Sequence, residues 1–158
     1  MEWLGEAVRE LQASGFGAWA RGPAYAWLNV LHLLGLVLLV GGIGVLDVRL
    51  FGLGRAIPVP PLARLVTPVA LAGLMVAIPT GIGLFAADAV SLSGSNTFRW
   101  KLALVALGLA NALAFRLAWH SQIDGWDERP NAAGKIVAAI SLAIWLAVAT
   151  LGRLIAYT

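Results

Sequence analysis

Four long apolar segments, separated by short breaks, constrain this 158-residue chain more than any other feature of its sequence. They run over residues 27–51, 65–87, 102–119 and 136–157. Each is near the roughly 20 residues that an α-helix needs to cross the hydrocarbon core of a bilayer. Only 12% of the residues are charged, against about 25% in soluble domains. The sequence therefore predicts an all-α integral membrane protein whose four spans form one domain.

The breaks between these spans indicate an antiparallel, up-down bundle. Proline and glycine interrupt helices, and each break is too short to return the chain across a membrane. They consist of Pro58, Pro60 and Pro61, of residues 91–96, and of Asp124, Gly125 and Pro130. We expect neighbouring spans to be antiparallel and both termini to lie on the same side.

Residues 1–26 predict an amphipathic helix at the membrane interface, ahead of the four-span domain at 27–158. Apolar residues recur at helical spacing and form one stripe, opposite a face of charged residues. The stripe consists of Trp3, Leu4, Ala7, Val8 and Leu11. We expect Gly15, Gly17 and the Gly22-Pro23 pair to end this helix.

Cysteine is absent, which excludes disulfides, thiolate metal sites and iron–sulfur clusters. The net charge of +3 comes from basic residues beside the spans, so we interpret it as a topology signal and exclude nucleic acid as a partner. Lys and Arg divide five to six between the two sides. The three arginines around the first break favour a bacterial inner-membrane protein with both termini in the periplasm.

Ionisable groups inside a span are costly and are therefore functional hypotheses. One layer of polar residues lies near the side that bears the termini. His32 is about 7.5 Å deep and Arg153 about 6 Å, at 1.5 Å per residue. Thr80 can reach the same layer, with Lys101 and Tyr157 beside it. We predict that these five residues line a polar, cationic binding pocket.

His32 is a candidate ligand of haem iron, since neutral imidazole holds haem in membrane cytochromes. Gly35, one turn further on, would leave room for a planar macrocycle. His120, the other histidine, falls about 20 Å deeper along the membrane normal, so one iron cannot take both. Haem b would need His32 alone or a ligand from a partner. The alternative is a histidine hydrogen-bonded within the bundle.

A second polar layer lies near the opposite side. Asp47 and Arg49 are two residues apart and so point from different faces of a helix. Asp47 therefore needs another partner, and Arg116 or Arg64 stands at a compatible depth. We predict a structural ion pair between Asp47 and Arg116.

Small residues recur every fourth position on three of the spans, which lets membrane helices approach closely. We expect these stripes to pack between helices. They are Gly73, Ala77 and Gly81; Ala106, Ala110, Ala114 and Ala118; and Ala139, Ala143 and Ala147.

Three functions remain open. The first is a non-catalytic membrane subunit or electron-transfer module that binds a haem, a quinone or a lipid headgroup. The second is a small ion or metal transporter or channel. The third is a structural subunit of a larger membrane complex or a homo-oligomer. No hydrolytic or phosphate-binding motif is present, so we expect no catalytic residues, and Cu(I) would lack soft ligands.

The segments LNVLHLLGLVLLVGGIGVLDVRLFGLGR, PTGIGLFAADA, NTFRWKLAL and GRLIAY, in this order, resemble a bacterial family of four-span inner-membrane proteins with no established activity. The likeness covers nearly the whole chain. Span 1 is more loosely similar to the D-type copper-resistance membrane proteins. The resemblance implies the fold and the location, and it points to characteristic residues of the family. These are His32, Asp47, Arg49, Thr80, Gly81, Lys101, Arg153 and Tyr157.

Overall fold

The structure, a computed structural model, describes residues 2–129 and 131–157, and this part consists of helices and turns without strands. Four helices are long and apolar enough to cross a membrane, which confirms the all-α four-helix membrane fold. Pro130, part of the third predicted break, lies outside the described residues. The helices are α1 (Glu2–Ala13), α2 (Gly15–Arg21), α3 (Tyr25–Phe51), α4 (Val59–Ala87), α5 (Ala89–Gly94), α6 (Asn96–Trp119) and α7 (Ala132–Leu154).

All four spans begin earlier than predicted, most of all α4, at residue 59 where 65 was expected, and α6, at 96 where 102 was expected. Pro58 caps α4, and Pro60 and Pro61 lie in its first turn. Proline is tolerated there because the first N–H groups of a helix have no partner within it. The second break is likewise partly helical, since α5 occupies residues 89–94 and α6 begins at Asn96.

The N-terminal segment forms two helices where one was predicted. The Ser14 hydroxyl accepts a hydrogen bond from the Gly17 N–H at 3.1 Å and so caps α2. Gly15 and Gly17 therefore lie inside α2 and do not end the helical segment. The Gln12 side chain accepts a bond from the Val90 N–H at 2.8 Å, which ties α1 to α5 at the side of the termini.

Helices α3 and α4 pack closely through glycine. A Cβ on Gly73 would lie 2.5 Å from the Leu39 nitrogen and 2.6 Å from the Gly35 oxygen. Leu39 then continues into a core shared with Ala70 and with Trp145 of α7. The stripe predicted on span 2 thus packs against span 1, since Gly73 and Ala77 are buried.

Among the spanning helices of the described chain, α7 is the one with which α6 has an extensive contact. Gly108 is the buried residue of α6 among those described, and it lies against Trp145 of α7. The alanine stripe of span 3 was wrongly expected to pack between helices. All four of its members face outward because Gly108 occupies the contact with α7. They are Ala106, Ala110, Ala114 and Ala118.

The side of the bundle away from the termini is closed by a loop carboxylate. Asp127 forms an ion pair with Arg49 at the end of α3 and accepts a hydrogen bond from the Val59 N–H at 2.9 Å. The Arg49 Nε also donates to the Ile57 carbonyl at 2.6 Å. Trp126, next to Asp127, is 1% exposed and packs in the adjoining core. One loop therefore joins α3, α4 and α7.

The predicted ion pair between Asp47 and Arg116 is not formed. Asp47 is buried where α3 meets α7, whereas Arg116 lies on the exposed face of α6. The ion pairs in the described part of the chain are Arg49 with Asp127, and an exposed pair of Arg64 with Asp124 at 3.6 Å.

Candidate functional site

His32 lies on α3 against α4, and its ring has a defined orientation. The Nδ1 atom is 3.0 Å from the Ala77 carbonyl oxygen and 3.1 Å from the Thr80 hydroxyl. A carbonyl oxygen can only accept a hydrogen bond, so we assign the proton to Nδ1 as the donor. In the neutral ring this leaves the Nε2 lone pair available to a ligand.

The segment Pro79-Thr80-Gly81 creates the surface against which this ring rests. Pro79 has no N–H to donate, so α4 lacks one of its backbone hydrogen bonds here. The Thr80 hydroxyl donates to the Val76 carbonyl, four residues earlier on the same helix, at 2.6 Å. A Cβ on Gly81 would lie 3.1 Å from Cε1 of His32, so glycine lets the ring approach α4 closely.

Lys101 supplies a cation to the same site. Its side chain is half-buried and lies close enough to His32 for an electrostatic interaction. A Cβ on Gly152 of α7 would be 3.4 Å from the Lys101 Nζ, so the ammonium group lies across α7. Neither ion pair of the described residues includes Lys101. Its charge therefore has no protein counter-ion there.

All four spanning helices contribute to this arrangement at one depth. His32, Thr80 and Lys101 lie five to seven residues from the ends of their helices, about 8 to 10 Å along the axis. Phe85 of α4 and Phe98 of α6 stack at 5.4 Å between ring centroids. They lie about one turn nearer the helix ends. An aromatic pair thus links α4 and α6 about one turn closer to the side of the termini.

The structure does not join Arg153 and Tyr157 to this group. Arg153 donates a hydrogen bond to the Tyr157 hydroxyl and lies over its ring, 5.0 Å from the centroid. Both side chains are exposed. In the described part of the chain their polar contacts are with each other. The predicted pocket of five residues is therefore reduced to His32, Thr80 and Lys101.

Sequence reasoning named Gly81 only in a packing stripe and among the residues of the resembled family, and it did not select Gly152. A Cβ on Gly81 would crowd the imidazole at 3.1 Å, whereas a Cβ on Gly152 would meet the Lys101 ammonium at an ordinary contact distance of 3.4 Å. Each glycine adjoins a polar residue that the sequence analysis did select, Arg153 and Thr80. A glycine beside a polar residue inside a span is thus the signal that was available.

The room expected beside Gly35 for a macrocycle is absent. A Cβ on Gly35 would lie 2.8 Å from the Ala77 nitrogen, so this glycine serves the α3–α4 contact. His120 begins a 3₁₀ helix at the far end of α6, which agrees with its predicted distance from His32. Among the described residues no three His, Asp or Glu side chains are grouped so that they could hold a metal ion.

Comparison of the chain with protein-family models, curated proteins and solved structures finds no match. Membership of the four-span family that the sequence resembles therefore stays a prediction. The structure shows four helices that could span a membrane and places His32 and Lys101 near each other, and neither ion pair of the described residues includes this lysine.

Proposed function

We propose that this protein is a non-catalytic membrane subunit or electron-transfer module that binds the polar head of a bilayer-soluble ligand between His32 and Lys101. The observation that carries the proposal is a lysine without a counter-ion among the described residues, beside an imidazole whose Nδ1 is already engaged. The Nε2 of His32 and the Nζ of Lys101 are the groups left for a ligand.

The chemistry of these two groups defines the ligand. Lys101 donates to an anionic or carbonyl oxygen, and a charge-assisted bond of this kind is about twice as strong as a neutral one. The free Nε2 can accept a hydrogen bond from a hydroxyl or bind iron. A quinol hydroxyl suits both groups, whereas a quinone carbonyl or a lipid phosphate would bind Lys101 alone. Haem would take iron at Nε2 and a propionate at Lys101, with its ring away from Gly35, where α4 fills the space.

The free-energy cost of placing the Lys101 ammonium group within the membrane supports a ligand here. An ammonium group at the centre of a span costs about 2.5–3.5 kcal/mol on insertion scales, and less near the interface. Lysine usually lowers this cost by extending to the membrane surface. Lys101 lies over Gly152, so an anionic ligand oxygen would supply the compensation that water otherwise supplies.

The test is the ligand content of protein purified in a mild detergent. We expect mass spectrometry of the organic extract to find a stoichiometric amphiphile in the wild type, and His32→Ala and Lys101→Gln to lose most of it. The chain offers matched controls, because its other histidine and its other lysine are His120 and Lys135. His120→Ala and Lys135→Gln should retain the ligand.

The absorption spectrum of the same samples separates the ligand classes. A Soret band that His32→Ala removes identifies haem, whereas a colourless sample with a bound amphiphile identifies a quinone or a lipid. The proposal fails if no small molecule is retained, or if the site variants and their controls retain it equally.

A structural or oligomeric role is the second candidate, because α6 leaves its alanine stripe outward. Small residues let membrane helices associate, so a second copy or a partner helix would pack there. The chain lacks cysteine, which permits a direct test. An Ala110→Cys variant should form a disulfide-linked dimer in membranes, whereas Ala143→Cys, exposed on α7, should not.

We also propose a bacterial inner-membrane location with both termini in the periplasm, on the basis of the arginines around the first break. In intact cells an impermeant maleimide should then label Ser93→Cys, on the side of the termini. It should not label Gly125→Cys on the opposite side. The reverse pattern would invert the orientation.

A further inference from the structure

Asp47 forms a second polar group within the membrane, away from the His32 site. It is 7% exposed at the contact between α3 and α7. Ser141 of α7, itself 4% exposed, faces the carboxyl. Trp145 lies one turn further along the same face of α7 and is 1% exposed. Within the described residues, Oδ2 of Asp47 and Nε1 of Trp145 are buried without a hydrogen-bond partner.

No described cation compensates a charge on this carboxyl. On α3, the guanidinium of Arg49 binds Asp127 and the Ile57 carbonyl. The arginines of the neighbouring helices are occupied or outward. On α4 Arg64 forms an exposed pair with Asp124, and on α6 Arg116 is exposed. Ser141, on α7, is neutral.

The two protonation states of Asp47 therefore differ widely in cost. A buried carboxylate without a partner cation is strongly destabilising, even after relaxation of the protein. A neutral acid that lacks one hydrogen bond is destabilising to a much smaller extent. The neutral form is thus the one that this interface tolerates.

We propose that Asp47 is a proton-binding site at the α3–α7 interface, and that Ser141 is its polar neighbour there. The bound species is a proton on a carboxylate oxygen. Binding forms one O–H bond and breaks none in the protein, and release returns the carboxylate. The site is independent of the His32 ligand site, because it lies near the opposite side of the membrane and shares no residue with it.

Infrared spectroscopy of the full-length protein tests the proposal directly. At neutral pH we expect a C=O stretching band of a protonated carboxylic acid that is absent from Asp47→Asn. Asp88→Asn, an exposed aspartate at the end of α4, is the matched control and should retain the band. Transfer to D₂O should shift the band, since a proton-binding site exchanges its proton.

Stability supplies a second measurement. Asparagine is a neutral isostere, so Asp47→Asn should leave the unfolding midpoint equal to that of the Asp88→Asn control. A wild-type spectrum without the acid band, a band that survives in Asp47→Asn, or a band that does not move in D₂O would overturn the proposal. So would an Asp47→Asn chain that fails to fold or loses stability, because the carboxylate charge itself would then be required.

Discussion

Adding one methyl group to Gly73 tests the close contact between α3 and α4. The new Cβ would lie 2.5 Å from the Leu39 nitrogen and 2.6 Å from the Gly35 oxygen. Both are backbone atoms, and both are roughly an ångström inside ordinary van der Waals contact. Neither atom can move without its helix. Gly73→Ala must therefore separate α3 from α4 along the contact.

The size of the effect follows from two opposing contributions. Overpacking a well-packed interior costs about 1–3 kcal/mol. A gap of about 0.5–1 Å elsewhere along the interface forfeits a quarter to a half of each dispersion contact. Alanine regains about 1 kcal/mol of helix propensity. Because the obstacles are backbone atoms, we expect the upper half of the overpacking range and a net loss of about 1–2 kcal/mol.

Unfolding by sodium dodecyl sulfate in mixed micelles measures this change, followed by far-ultraviolet circular dichroism. Gly41→Ala is the matched control, because it lies on α3 and a Cβ there would meet nothing within 4 Å. We expect Gly41→Ala to be neutral or to gain up to about 1 kcal/mol. If the two variants have equal stability, the glycine contact does not hold α3 to α4 and the reasoning is refuted.

Three further predictions concern the loop closure and the lysine site. Asp127→Asn should lower the free energy of unfolding by about 2–4 kcal/mol in the same assay, since it leaves the buried Arg49 without its counter-ion. Asp124→Asn, at an exposed ion pair, should lower it by at most about 1 kcal/mol. Equal losses in the two variants would refute the difference between the buried and the exposed pair. Trp126→Ala should cost about 3–5 kcal/mol by leaving a cavity, and a loss below about 1 kcal/mol would mean that the loop does not close the core. Gly152→Val should displace the Lys101 ammonium and lower the retained ligand while the protein stays folded, whereas unchanged retention would separate Gly152 from the site.

The spans and the depth of the polar residues could be predicted because both depend on distance along one helix. Rise per residue alone places His32, Thr80 and Lys101 at a common level. The direction in which each side chain points around the helix axis was harder to predict. The predicted depth of Arg153 did not show its direction, since its guanidinium donates a hydrogen bond to Tyr157, four residues further on. Residues at this spacing lie on the same face of a helix, so the pairing could have been predicted from the sequence.

The ion pairs depended on contacts between distant parts of the chain. Arg49 finds its partner in Asp127, 78 residues away and in a loop that the span pattern treats only as a break. Asp47 was paired with Arg116 on depth alone, although their helices, α3 and α6, both pack on α7 and have no extensive contact with each other in the described chain. No periodicity in the sequence reports which helix lies beside which. The site at His32 was accessible because two of its partners, Ala77 and Thr80, lie on the helix that follows in the chain.

The nitrogen chemical shifts of the His32 ring test the central claim most directly. We would label histidine with ¹⁵N in a His120→Gln background, so that His32 gives the signals, and record spectra before and after the co-purified ligand is stripped. The account predicts a neutral ring with its proton on Nδ1, and an Nε2 resonance that moves when the ligand leaves while Nδ1 stays in place. A proton on Nε2, or an Nε2 resonance unchanged by stripping, would contradict it.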